Sequence, residues 1–186
     1  MRLRYAINVT IDGCVHHEAG LPPDEESMAF WTDEVASARA LLYGRRTYEL
    51  MESAWRRPAT GEWPEWMGER EIRFAEVIDA TPKHVVSSTL TAPDWRAELV
   101  TGDLRQSVAG LKAAGAGHLL LGGVRLPLAL ADWGLIDDYV FVVHPVLAGH
   151  GPTLLSGLRD RVSLDPVDQR QFRSGAMALH YVPAAG

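Results

Sequence analysis

The stretch from His118 to Gly151, HLLLGGVRLPLALADWGLIDDYVFVVHPVLAGHG, constrains the fold more than any other part of the chain. His118 to Leu121 is a short, almost wholly apolar run. It suits a central strand covered on both faces by crossover helices, and such strands belong to parallel sheets. Gly122 and Gly123 follow at once. A missing Cβ lets backbone N–H groups come close to a ligand, and a helix opening directly afterwards offers amides that favour an anion. Leu126, Leu128, Ala129, Leu130 and Trp133 give that helix an apolar side. Gly134 ends it, and Tyr139 to His144 returns as a strand before a loop of Pro and Gly. The unit reads as βαβ with a phosphate seat at its glycines. Tight turns also need glycine for purely steric reasons, and the G-x-G-x-x-G fingerprint is absent, so this stretch alone leaves both readings open.

With 186 residues, one domain over residues 1–186 is expected, large enough to bury roughly 70% of its unfolded surface. A formal charge of -6 argues against a nucleic-acid face. No apolar run exceeds strand length, which excludes a membrane-spanning role, and the N-terminus shows no signal-peptide pattern. With Cys14 as the one cysteine, no internal disulfide can form, and a cytoplasmic protein is expected. His16 and His17 lack carboxylate or cysteine partners at ligand spacing, so no metal site is predicted.

In chain order, Leu3 to Val9 reads as a central strand, too apolar to lie unprotected at an edge. It runs into Thr10, Ile11, Asp12 and Gly13, at the strand end where open α/β sheets place ligands; a plain Asp-Gly turn is the alternative. Glu25 to Ala38 has helical spacing and an acidic start. Ala40 to Tyr43 is a second strand that breaks at Gly44 into Arg45, Arg46 and Thr47, with a helix over Tyr48 to Ser53. Amides, guanidinium groups and a hydroxyl there can converge on phosphate, unless this is only a solvated basic turn. Residues 54–69 form a loop whose Trp55, Trp63 and Trp66 suit a cover near the site. Gly68 to Asp79 is helical, Lys83 to Ser87 a third strand ending at Ser87 and Ser88, Trp95 to Thr101 a fourth, and Leu104 to Ala114 a helix. Val162 to Phe172 and Ala176 to Val182 pair as a hairpin. The result is an α/β fold of three layers, a mostly parallel sheet with helices on both faces and a C-terminal antiparallel hairpin.

The pieces T-I-D-G at Thr10 to Gly13, Y-G-R-R-T-Y at Tyr43 to Tyr48, L-G-G at Leu121 to Gly123 and H-P-V-L-A-G-H-G at His144 to Gly151 occur in an order that resembles the dihydrofolate reductase-like fold. More closely, the chain resembles the RibD C-terminal family, the reductase domain of a bifunctional riboflavin-biosynthesis protein. The resemblance implies NADPH at the carboxyl ends of the central strands. Gly44, Arg45, Arg46, Thr47, Ser87 and Ser88 would hold the adenosine side with its 2′-phosphate. Leu121, Gly122, Gly123, Val124, Arg125 and Leu126 would take the pyrophosphate, and Thr10 and Val15 would edge the nicotinamide. It further implies Asn8, Ser27, Met28, Trp31 and His144 around the substrate, and a homodimer.

The expected activity is NADPH-dependent reduction of a small heterocyclic or sugar-carbonyl substrate, like that of 5-amino-6-(5-phosphoribosylamino)uracil reductase, with the hydride supplied by the cofactor. Asp12 is the candidate for holding or relaying a proton. No H-x-E with P-C-x-x-C is present, so no zinc deaminase half accompanies it. Two alternatives stand beside this reading, a dihydrofolate reductase proper and a non-catalytic nucleotide-binding homodimer. The first lacks the carboxylate that dihydrofolate reductases carry near the start of the first helix, where Ser27 stands. Dihydrofolate is therefore expected to be a poor substrate, with Ser27→Asp raising its turnover.

Overall fold

A computed structural model describes residues 1–185. In chain order the elements are β1 (Arg2–Thr10), α1 (Glu25–Ser37), β2 (Ala40–Gly44), α2 (Arg45–Trp55), α3 (Glu69–Ala80), β3 (Lys83–Val86), β4 (Ala97–Val100), α4 (Leu104–Ala113), β5 (His118–Leu121), α5 (Arg125–Asp132), β6 (Asp138–His144), β7 (Leu164–Gln171) and β8 (Met177–Pro183). One eight-stranded sheet runs β4-β3-β2-β5-β1-β6-β8-β7. The first six in that order are parallel, and β8 and β7 close it antiparallel. This is the expected α/β architecture, and β1 and β5 are central as their apolar sequences require.

Alternation along the strands sorts the core into two layers. Ala6, Leu41, Tyr43, Val85, Leu120 and Val140 pack under α1 and α3, against Met28, Val35, Phe74 and Ile78. Leu3, Tyr5, Leu42, Leu119, Leu121 and Tyr139 face the other way, against Val108 of α4 and Leu130 and Ala131 of α5. The α5 helix buries Pro127, Leu130 and Ala131, whereas Leu128 and Ala129 of the expected apolar side are only half-buried. Beyond α5, the irregular segment of Leu154, Leu155 and Leu158 packs over Tyr139, Phe141 and Leu164 in place of a helix.

Differences from the sequence reading are small and local. Arg45, Arg46 and Thr47 form the first turn of α2 rather than a loop before it. Trp95 lies just outside β4, buried under Lys83, whose Nζ sits 3.7 Å from the centre of the indole ring. Lys83 itself is 1% exposed. Its ammonium donates to the carbonyls of Ile78 at 2.5 Å and Asp79 at 3.2 Å, closing the C-terminus of α3 where orphan carbonyls and the helix dipole favour a cation.

The sheet opens where the site is expected. Pairing of β1 with β5 ends at Tyr5 with Leu121, while pairing of β1 with β6 continues to Thr10 with His144. From Ala6 onward the β5-side edge of β1 therefore has no strand partner among the described residues. That leaves a crevice at the carboxyl ends, where strand order reverses and ligands of open α/β sheets bind.

Candidate functional site

On one side of the crevice stand the ends of three neighbouring strands. Leu42 of β2 pairs with Leu121 of β5, and Gly44 of β2 pairs with Val86 of β3. Residues 45–47, 87–88 and 122–126 thus emerge side by side, as the sequence reading required. The helices that follow β2 and β5 differ from the others at their starts. Asp24 and Asp103 cap α1 and α4, and Glu69 and Glu71 occupy the first turn of α3. Neither α2 nor α5 has a side-chain cap or an acidic residue in its first turn. Arg45, Arg46 and Arg125 hold exposed guanidinium groups there. Uncapped amides, two helix dipoles and three cations are the groups that could hold an anion here.

The Gly122–Gly123 pair has an additional reason to exist. A Cβ on Gly122 would stand 2.9 Å from Tyr43 Cε1, and one on Gly123 would stand 2.5 Å from Thr47 Oγ1 at a φ of +101°. Packing of β5 against β2 and α2 thus already demands glycine at both positions. The pair is held firmly, since Gly122 N–H donates to Leu42 O at 3.2 Å and the buried Tyr5 hydroxyl donates to Gly123 O at 3.1 Å. Leu126 Cβ would lie 3.8 Å from a Cβ on Gly44, and Val124 is the N-cap residue of α5. Ser87 Oγ is engaged locally, accepting from Thr89 N–H at 3.1 Å and Leu90 N–H at 2.9 Å, whereas Ser88 is exposed. The residues present fit the pyrophosphate and phosphate groups of a dinucleotide: a fixed, side-chain-free turn between two uncapped helix starts, ringed by arginine.

Across β1 lies a cleft on the α1 side of the sheet. Asn8 is exposed although it sits in a central strand, between Val9 at 5% exposure and its partner Val142 at 0%. His144 ends β6 and is buried. Its Nε2 lies 3.0 Å from Asn8 Oδ1, and the backbone N–H of Leu21 donates to its Nδ1 at 3.1 Å. Burial lowers the His144 pKa. The structure thus brings together two of the five residues placed around the substrate. Trp31 is half-buried, edge-on to Phe30 at 5.4 Å, and Met28 belongs to the core.

Ser27 has another task. Its hydroxyl accepts from Asp24 N–H at 2.9 Å and donates to Asp24 O at 3.1 Å, while its own N–H donates to Asp24 Oδ1 at 2.8 Å. This reciprocal capping box starts α1 and commits the hydroxyl's one hydrogen to Asp24 O, so Ser27 can only accept from a substrate.

Asp12 likewise proves to be a staple. Its carboxylate accepts from the Thr10 hydroxyl, from Ala148 N–H at 3.1 Å and from Gly149 N–H at 2.7 Å. These bonds, the Thr10 hydroxyl first, draw its pKa down to about 2. Near neutrality the carboxylate is therefore ionised, so any proton it holds or relays is one it first accepts. Thr10 Oγ1 also accepts from Cys14 N–H at 2.9 Å. Val15 is buried, and its N–H donates to Pro152 O at 2.8 Å. The turn after β1 and the glycine-rich loop after β6 are laced into one rigid rim.

Three participants escaped the sequence reading. Tyr5 and Tyr43 look like ordinary strand residues, and only the fold shows that they fix and crowd the glycine pair. Cys14 closes the rim, where a Cβ on Gly151 would lie 2.7 Å from its Sγ.

Among solved structures, a protein provisionally assigned to riboflavin biosynthesis from Shewanella sp. PV-4 superposes with a TM-score of 0.73 at 20% identity, covering 100% of both chains. The diaminohydroxyphosphoribosylaminopyrimidine deaminase/5-amino-6-(5-phosphoribosylamino)uracil reductase of Thermotoga maritima gives 0.67 at 15% identity, covering 98% of this chain and 56% of its own. The uncharacterised protein YyaP of Bacillus subtilis (strain 168) is 27% identical over 192 residues, spanning 97% of this chain and 94% of that protein. The sequence profile of the RibD C-terminal domain matches residues 2–178. With the three-layer α/β fold, the crevice and the glycine turn in place, that match makes this chain a member of the RibD C-terminal domain family.

Proposed function

We propose that the protein is an NADPH-dependent reductase of a small heterocyclic or sugar-carbonyl substrate, in the reaction class of 5-amino-6-(5-phosphoribosylamino)uracil reductase. The observation that carries this reading is the pair of uncapped, arginine-flanked helix starts at adjacent strand ends, joined by the fixed turn at Gly122 and Gly123. NADPH supplies the hydride when bound. The chain's own residues orient it: the amides of 122–126 hold the pyrophosphate, and Arg45 holds the 2′-phosphate by charge-assisted hydrogen bonds. The rim of 10–15, laced to 145–154, limits the open end of the crevice and keeps water from it. Asn8 and the cleft beside it take the substrate.

The proposal includes a homodimer. Its support is the apolar sheet face of Tyr139, Phe141, Leu164 and Tyr181, covered only by an irregular segment, with Val162 and Val167 exposed nearby. The edge strand β7 does not invite strand addition, because Pro166, Asp165 and Asp168 and the irregularity between Pro166 and Asp168 blunt it. The sheet face, rather than the edge, is the contact that fits.

The test is consumption of NADPH by the pure protein with 5-amino-6-(5-phosphoribosylamino)uracil and with simple sugar imines. Turnover with NADPH and far less with NADH supports the reading. Binding of NADPH without turnover on either substrate type would favour a nucleotide-binding protein that keeps the fold without the chemistry.

A further inference from the structure

Asn8 presents its amide to the cleft in one fixed polarity. The backbone N–H of Leu21 can only donate, so His144 Nδ1, 3.1 Å away, must hold a lone pair. A neutral imidazole carries one proton, which is then on Nε2. That nitrogen, 3.0 Å from Asn8, donates. The Asn8 atom it meets must be the carbonyl oxygen, so the amide nitrogen with both its hydrogens points away from His144. Asn8 is exposed while Val9 beside it on β1 and its partner Val142 on β6 are buried, and the crevice opens along the β5-side edge of β1 at this level. Gly20 backs the ring, where a Cβ would stand only 3.1 Å from His144 Cγ, so the imidazole keeps this seat because position 20 carries no side chain.

We propose that Asn8 is a specificity-determining residue that donates to a hydrogen-bond acceptor of the substrate, a carbonyl oxygen or an imine-type ring nitrogen, and that His144 is the positioning residue that fixes this polarity. The inference deepens the reductase reading and rests on the cleft beside Asn8 being the substrate side of the crevice. With the oxygen turned to His144, the N–H2 end offers two donors and no acceptor, so it selects carbonyl- or imine-bearing heterocycles and disfavours ligands that can only donate to it, because an N–H facing an N–H leaves both unpaired. It also disfavours the reduced product wherever reduction turns that acceptor into a donor, which favours product release.

The test is nuclear magnetic resonance on the 15N-labelled full chain, with and without NADPH. The expected free-state result is a neutral His144 with Nδ1 unprotonated and Nε2 protonated. Pyridazine, which only accepts, should then shift the Asn8 side-chain N–H2 signals, and pyrrole, which only donates, should not. Asn8→Asp, at an exposed position, should fold normally and bind pyridazine at least about tenfold more weakly. His144→Gln, which still carries an N–H donor, should retain the discrimination, while His144→Ala should lose it by freeing the amide to turn; a merely structural histidine would change stability without changing this preference. A proton on Nδ1, equal response to pyrrole and pyridazine, or no response of Asn8 to either would overturn the proposal. Shifts of the Gly122 and Gly123 amides on adding NADPH report the cofactor reading separately. Their absence would sink that reading while leaving the Asn8 result standing.

Discussion

The carboxylate of Asp12 accepts the N–H of Gly149 at 2.7 Å, tying the turn after the first strand to the glycine-rich loop after the sixth. Because that carboxylate is held down to about 2, below its unfolded value, its stabilising contribution is complete above about pH 4. It is lost as pH falls through the folded value. Asp12→Ala should loosen the 145–151 loop, and Asp12→Asn, which keeps one acceptor, should do so less. Amide exchange of Ala148 and Gly149 checks this. The pH-rate profile of the wild type between pH 5 and 9 should carry no inflection from Asp12.

Glycine 123 is a poor place to ask about the cofactor. A Cβ there meets Thr47 Oγ1 at a backbone conformation that L residues avoid, so Gly123→Ala should destabilise the fold by about 1 to 3 kcal/mol whether or not anything binds. Gly44 is the cleaner probe, since its φ is -78° and an added Cβ finds only Leu126 at 3.8 Å. Gly44→Ala should keep its thermal midpoint within a few degrees and lose NADPH affinity, because the Cβ stands at the start of α2 where a phosphate must approach. Normal affinity in this variant would move the phosphate away from that helix.

Cofactor preference should lie with Arg45. Its guanidinium is exposed and only loosely paired with Glu49 at 3.8 Å, a contact of the exposed kind that contributes little. A charge-assisted hydrogen bond to a 2′-phosphate is stronger, about 1.5 to 3 kcal/mol. Arg45→Ala should therefore reduce the preference for NADPH over NADH by about tenfold or more, measured by parallel titrations. An unchanged ratio would assign the 2′-phosphate to another residue.

Much of this site was legible beforehand because it rests on local pattern. The apolar runs of β1, β2 and β5, the glycines that follow two of them and the basic pair after Gly44 are all contiguous in sequence, and the sheet order then brings them together. Pairings between distant elements were not legible: Thr47 against Gly123, the Tyr5 hydroxyl on the Gly123 carbonyl, and Asp12 across to Gly149. The role of Ser27 had a signal that went unused. Asp24 followed three residues later by Ser27 is the spacing of a reciprocal cap, and it competed with a substrate role that rested on resemblance alone.

That cap revises the expectation for dihydrofolate. An Asp at position 27 would be captured by the Asp24 N–H and would sit beside the Asp24 carboxylate, rather than facing a pterin. Wild-type turnover of dihydrofolate should be slow, and Ser27→Asp should leave it slow. A gain of tenfold or more in that variant would show that the carboxylate reaches the substrate after all.

Lys83 makes a separate prediction about stability. Burial lowers its pKa from 10.5 to about 8. Between those values the unfolded chain holds more protons than the folded one, so stability rises with pH across that window. Lys83→Met should abolish this rise and, at pH 7, cost about 1 to 3 kcal/mol by orphaning the Ile78 and Asp79 carbonyls. Denaturant midpoints of both proteins at pH 7, 8 and 9.5 test the pair of effects.

The most direct test of the central claim is a backbone-amide map of the NADPH-bound protein. The account predicts saturable shifts concentrated at Arg45 to Thr47 and Gly122 to Leu126, at concentrations at least tenfold below those NADH requires. No binding at millimolar NADPH, or a footprint confined to other elements, would contradict it.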